Sequence, residues 1–172
     1  MHHQADQVHE NNIKDARKAR FYFVVKPRLL LYTIAMESKE EYMKEDMFQL
    51  YNPNPMKKQI GDCTVRAISK ALNQDWESTY SGLALEGFWL CDMPSANHVF
   101  GAYLKRKGFK RYVIPDECPD CYTVKDFCRD HPVGTFILAI HGHVVAVEDG
   151  RYYDGWDSGD EIPIYYWKRK ED

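Results

Sequence analysis

The sequence predicts an α+β domain, with helices in its first half packed on an antiparallel sheet formed by its second. Two patterns carry this. Apolar residues recur at helical spacing from Cys63 to about residue 107, and short β-rich runs separated by turn residues follow from Phe109 onward. The third observation is composition: a chain of 172 residues with 44% hydrophobic and 14% aromatic residues has enough apolar material for one core.

Taken in order, residues 1–46 differ from the rest, with many charges, no Gly and a single Pro. Segments 12–20 and 38–46 suit charged helices and 21–25 a short strand. Met47 makes a natural start for the compact part, so 1–46 is expected to be an N-terminal extension, poorly ordered or peripheral, and 47–172 the domain. Asn52-Pro53-Asn54-Pro55 is a loop, because each Pro pushes its predecessor out of helical geometry. A helix over 63–73 has Val65, Ile68 and Leu72 at helical spacing, with Asp62 available as N-cap. Asp75 caps a second helix carrying Trp76, Tyr80 and Leu83. Ser95 caps a third, with Val99, Phe100, Tyr103 and Leu104 inward and Gly108 as its stop. A strand is expected over 109–114. Beyond the loop 115–122, Thr123 and Asp126 form a capping-box pair at a short helix. Strands follow at 135–140, at 144–147 and 151–153 around the hairpin signal Asp149-Gly150, and at 162–167.

Several function classes are disfavoured at once. A net charge of -3 provides no basic field for gripping nucleic acid. The most apolar stretch, 21–35, contains Lys26, Pro27 and Arg28, so no membrane span is expected. The opening MHHQADQVHENN is polar where a secretory segment would be apolar. The five cysteines, Cys63, Cys91, Cys118, Cys121 and Cys128, are therefore expected to be thiols of a reducing, cytoplasmic compartment, serving chemistry, metal binding or packing.

Cys63 follows a Gly-Asp turn and opens a helix, where unpaired backbone N–H groups and the helix dipole favour thiolate over thiol. His143 begins a strand that turns back through Asp149-Gly150 toward Asp154 and Asp157. A Cys at a helix start, a His on a strand and a carboxylate on the next strand supply nucleophile, base and orienter. The third group fixes the imidazole tautomer and supports its positive charge.

These residues carry a resemblance. Gly61-Asp62-Cys63-Thr64-Val65-Arg66-Ala67-Ile68 resembles the cysteine helix of ovarian-tumour-type deubiquitinases. His143-Val144-Val145-Ala146-Val147 followed by Asp157-Ser158 is similar to the His strand and Asn-Ser segment of papain and Josephin domains. Small papain-like proteins of phages and gut Firmicutes share the strings GDC-x-x-RA and YD-x-WDS. The chain thus resembles the papain-like cysteine peptidase superfamily over roughly 50–167. The resemblance implies a papain-like fold, a peptide or protein substrate, Cys63 as nucleophile, His143 as base, a thioester intermediate, and no cofactor.

The orienter depends on hairpin geometry. A two-residue turn on Asp149-Gly150 pairs Glu148 with Arg151 and puts Asp154 on the face of His143. A three-residue loop over 148–150 ending in a bulge pairs Val147 with Arg151 and puts Asp157 there instead. Gly at the last position of a type I turn suits the second option, as does the Asp-Ser likeness, so Asp157 is the expected orienter and Asp154 the alternative. The superfamily usually places an oxyanion-donating Gln six residues before the Cys. Lys57 stands there instead, leaving Gln59, Asn52, Asn54 or the backbone N–H of Cys63 as candidate donors.

Other residues have plainer readings. His141 shares a face with His143 and suits a strand-end histidine, His98 a polar helix position, and Trp156 a core residue able to shield the His–Asp bond. Cys118, Cys121, Cys128 and His131 form a rival set of zinc-ligand types, although Cys128 shares a helical face with Val124 and Phe127 and so suits the core. Three other functions stay open: an inactive papain-fold module that only binds peptide or protein, a transglutaminase or amidase with the same triad, and an interaction protein stapled by zinc at the rival set. Specificity is expected from loops near 52–56, 88–94 and 115–122.

Overall fold

A computed structural model describes residues 47–115 and 121–169; the extension expected over 1–46 lies outside the described residues. The described chain is α+β. Strand β1 (Phe48–Leu50) precedes three helices, α1 (Cys63–Leu72), α2 (Trp76–Leu90) and α3 (Asn97–Arg106). Then come β2 (Phe109–Val113), α4 (Val124–Asp130), β3 (Thr135–Ile140), β4 (His143–Glu148), β5 (Arg151–Asp154) and β6 (Tyr165–Arg169).

The six strands form one sheet in the order β1-β5-β4-β3-β6-β2. It is mixed, which corrects the antiparallel expectation: β1 runs parallel to β5, pairing Phe48 with Tyr152 and Leu50 with Asp154. Three residues are too few to show period-two alternation, so β1 was not legible as a strand. The other pairings are antiparallel.

Both faces of the sheet are covered, which explains the unbroken apolar runs of β3 and β4. Alternate residues point to opposite sides. Ile137, Ala139, Val144 and Ala146 pack with Val65 and Ile68 of α1, Leu83 of α2 and Phe100 and Leu104 of α3. Phe136, Leu138, Val145, Val147 and Tyr152 pack with Val124, Phe127 and Cys128 of α4. Ile68, Leu83 and Phe100 are fully buried, each contributing on the order of 1.5–3 kcal/mol by leaving water. With the sheet on one side and α2 on the other, α1 buries polar residues too. Ser69 meets that demand by donating its hydroxyl to Thr79 Oγ1 at 3.0 Å.

The helix ends follow the capping chemistry with two exceptions. Asp75 accepts from Ser78 N at 2.6 Å, and Thr123 and Asp126 form the reciprocal capping box. At α3 the cap position falls to Ala96, not Ser95, and no side chain caps it. Asp62 occupies the cap position of α1 but does not cap; its carboxylate serves other partners described below. The hairpin is the two-residue form: Glu148 pairs with Arg151, and Asp149 and Gly150 are both left-handed at φ 50° and 74°. The three-residue loop expectation is thereby corrected. Asp149 offsets its backbone cost by accepting a hydrogen bond from Gly134 N at 2.9 Å, a contact from outside the hairpin. Among the described residues, no helix is long and apolar enough to cross a membrane.

Candidate active site

Three element ends converge: α1 begins at Cys63, β4 begins at His143 and β5 ends at Asp154. Continuing the hairpin register past Ala146 and Tyr153 sets Asp154 across from Val145, so Asp154 and His143 share a face. His143 Nε2 lies 2.6 Å from Asp154 Oδ2. That leaves Nδ1 for Cys63, whose thiol is within hydrogen-bond reach of the imidazole.

The electrostatics match the geometry. Burial pushes the Cys63 thiol up, but the hydrogen bond and charge of His143 outweigh it, helped by the Val144 backbone N–H and Thr64. The net result lies below the usual thiol range. Burial disfavours the His143 cation, yet hydrogen bonds to Asp154 and Cys63 and their charges raise its pKa to about 9. Both shifts favour the thiolate–imidazolium form of the pair.

Asp154 is held from several sides. Its side chain is nearly inaccessible, and it accepts from Ser158 Oγ at 2.7 Å and Gly155 N at 2.7 Å. Arg66 reaches it from α1 at 3.6 Å. The same guanidinium donates to Asp62 Oδ1 at 2.6 Å, and Trp76 Nε1 donates to Asp62 Oδ2 at 2.9 Å. Arg66 and Ser158 stand in the sequence motifs that carry the resemblance but had no role assigned there; the i,i+4 spacing of Asp62 and Arg66 was the available signal for the first.

Asp157 is not the partner of His143, which corrects the sequence expectation. It accepts hydrogen bonds from the Tyr152 hydroxyl and from Gly159 N. The two-residue turn is the reason, since it advances the register and sends Asp157 past the end of β5. Trp156 is not core either. It is 46% exposed, with its ring centroid 5.6 Å from that of His143. Leaving β5 at Gly155, the chain carries the indole onto the rim above the imidazole.

Cys63 and His143, both half-buried, border an open cleft of about 1120 Å³, while Asp154 lies buried behind them. Leu50, Ile60, Trp156 and Ile164 give it an apolar rim, and no Asp or Glu lines it among the described residues. Asn52, Lys57 and Gln59 border it. Their loop is stitched by side chains: Asn52 Oδ1 accepts from Asn54 N and Asn54 Oδ1 from Met56 N, each at 3.0 Å. Gln59 is exposed there, within the cleft wall and without an assigned hydrogen bond to Cys63. Asn54 is buried in its own turns, away from the cleft lining. His141 lies in the turn before β4 and also lines the cleft, whereas His98 is exposed and 3.4 Å from Asp92. Of the expected specificity loops, 52–56 contributes Asn52, 88–94 contributes nothing to the lining, and 116–120 lies outside the described residues.

The described members of the rival set, Cys121, Cys128 and His131, do not form a three-residue ligand group. Cys118 lies outside the described residues. Cys121 is exposed, while Cys128 is buried beside Val124 and Phe127, where desolvation pushes its thiol up to about 12. His131 stacks on Phe127 and faces the Phe127 carbonyl through Nδ1 at 3.0 Å. Among the described residues, no three His, Cys, Asp or Glu side chains are grouped to hold a metal.

Comparisons with protein-family models, with curated proteins and with solved structures find no match to this chain.

Proposed function

We propose that this protein is a cysteine hydrolase of papain-like fold that cleaves an amide bond of a peptide or protein. The observation that carries the reading is the position of His143, hydrogen-bonded to Asp154 through Nε2 and facing the Cys63 thiol with its other edge. A helix-start cysteine, a strand-start histidine and a buried carboxylate in that order have the roles of nucleophile, base and orienter. An open cleft with a partly apolar rim suits an extended chain crossing the nucleophile.

In this mechanism the Cys63 thiolate attacks the carbonyl carbon, and the C=O electron pair moves onto oxygen. Backbone N–H groups at the start of α1 are candidate donors to that oxyanion, with Gln59 on the cleft wall as a side-chain alternative. As the tetrahedral centre collapses, the C–N bond breaks and His143 gives its proton to the leaving amine. Neutral His143 then takes a proton from water, the hydroxide adds to the thioester, and Cys63 leaves as thiolate with the imidazolium restored. Asp154 stays ionised and holds the ring.

The test is incubation of the protein and its Cys63→Ala variant with a diverse peptide mixture in ¹⁸O-water, followed by mass spectrometry. New C-termini carrying ¹⁸O, formed only with Cys63 present, are the expected result. Transfer to an added primary amine in preference to water reassigns the protein as an acyl transferase. Peptide retention with no bond cleaved replaces the hydrolase with a binding module.

A further inference from the structure

Around the thiol and imidazole lies a layer of charge in which Asp154, the partner of His143, is joined by Asp62 and by Arg66, which also reaches the cleft lining. Asp62 stands at the start of α1, immediately before Cys63, and Asp154 at the end of β5. Both are buried, and one guanidinium spans them: Arg66 Nη1 is 2.6 Å from Asp62 Oδ1 and Nη2 is 3.6 Å from Asp154 Oδ1. Arg66 is itself buried. A methyl on Gly155 would sit 3.4 Å from the guanidinium carbon, and Arg66 Nε is buried without a hydrogen-bond partner. A buried donor left unmade is costly, so shape alone does not account for an arginine here.

We propose that Arg66 is a positioning residue that sets the charge balance of the site, offsetting one of two carboxylates behind Cys63 and His143 while steadying Asp154 for the imidazole. This rests on the hydrolase reading of those residues. With Cys63 as thiolate and His143 as imidazolium, the cluster holds Cys63, Asp62 and Asp154 as anions against His143 and Arg66 as cations. Removing Arg66 moves it from one excess negative charge to three anions against one cation. That penalises the thiolate and favours the imidazolium. Lys57 and His141 line the same cleft but lie outside this cluster's pairing, and Glu148 on β4 is engaged by Lys70. Trp76 on α2 adds a donor to Asp62 and no charge.

The charge account differs from a purely structural one in the direction of its pH effects. The test is the pH midpoint at which Cys63 becomes reactive to iodoacetamide, with the titration of His143 followed by NMR, in wild type, Arg66→Met, Arg66→Lys, Asp62→Asn and the Asp62→Asn/Arg66→Met double variant. A unit charge at this range is worth about one pH unit. Arg66→Met is expected to raise both midpoints by about that amount, and Asp62→Asn to lower both. Arg66→Lys restores most of the shift. The double variant removes one charge of each sign and returns the midpoints to within a few tenths of wild type, with a lower plateau rate because Asp154 has lost its brace. If Arg66→Met does not fold, Asp62→Asn and the double variant decide the matter through the same opposing shifts. Midpoints that stay put in Asp62→Asn, or move the same way in Asp62→Asn and Arg66→Met, overturn the charge role. If wild-type Cys63 itself shows no thiolate activation, the hydrolase reading fails first, and the two failures are distinguished.

Discussion

Asp154 Oδ2 lies 2.6 Å from His143 Nε2, and a hairpin with a two-residue turn joins the strands that carry them. The contact is enclosed, with Asp154 almost wholly buried and its remaining lone pairs used by Ser158, Gly155 and Arg66. A carboxylate so fully engaged has one orientation, and it holds the ring through Nε2, which turns the other ring edge toward Cys63.

Asp154→Asn and Asp157→Asn therefore have different consequences. The first keeps the shape but removes the charge beside the imidazole, and alkylation of Cys63 at pH 7 is expected to slow by roughly 10²-fold. The second leaves the rate within about threefold, because Asp157 serves the Tyr152 hydroxyl and Gly159 N. Its cost is stability, about 1 kcal/mol by urea denaturation. A larger rate loss from Asp157→Asn than from Asp154→Asn would reverse the assignment.

The pH profile follows from the directions of the two shifts. Cys63 is an acid whose reactive form is deprotonated, and its pKa is lowered, so reactivity rises as pH climbs through a value below the ordinary thiol range. His143 is a cation below its pKa of about 9 and neutral above it. With iodoacetate, an anion attracted by the imidazolium, the rate should be bell-shaped, falling as pH passes about 9. Cys128, pushed to about 12 by burial, stays a protected thiol throughout. A single rise near the ordinary thiol range would mean that the pair does not form.

Trp156 is expected to act on the alkaline limb. Its ring lies 5.6 Å from the half-buried imidazole, tilted at 42°, and an aromatic ring beside a cation contributes about 0.5–1 kcal/mol. Trp156→Ala should lower the His143 titration by about half a pH unit. Because the side chain is largely at the surface, the folding midpoint should barely move. NMR titration of His143 checks the first outcome and thermal denaturation the second.

Gly159 is a position where any side chain collides with the support of the site. A Cβ there would fall 2.3 Å from the Tyr152 hydroxyl oxygen and 2.4 Å from Lys125 Cε. Lys125 can swing away, but the Tyr152 ring is fully buried and cannot. Gly159→Ala should cost roughly 1–3 kcal/mol by urea denaturation, with a matching loss of the Tyr152–Asp157 bond seen in the Tyr152 hydroxyl environment. A neutral effect would show that the 155–164 loop tolerates rearrangement.

Much of the scaffold was legible because its signals are local. Cys63 opens α1 after the Gly61-Asp62 turn, Asp75 and Thr123 cap their helices, and β3 and β4 are apolar runs bounded by turn residues. What escaped depends on contacts from elsewhere. The hairpin type is decided with help from Gly134, fifteen residues upstream of Asp149, so periodicity alone left Asp154 and Asp157 in competition. Trp156 reads as core by composition, but its place depends on where β5 stops. Arg66 reads as one more charge on a helix until Asp154 arrives from the other half of the chain. β1 is too short to announce itself and exists because β5 offers it an edge.

The most direct measurement is intact-mass analysis after brief iodoacetamide treatment between pH 5 and 9, on wild type, Cys63→Ala and His143→Ala. The account predicts fast single labelling of wild type near pH 6, none at that rate in Cys63→Ala, and at least about tenfold slower labelling in His143→Ala. Labelling of Cys63 no faster than of the exposed Cys91 and Cys121, or unaffected by loss of His143, would contradict it.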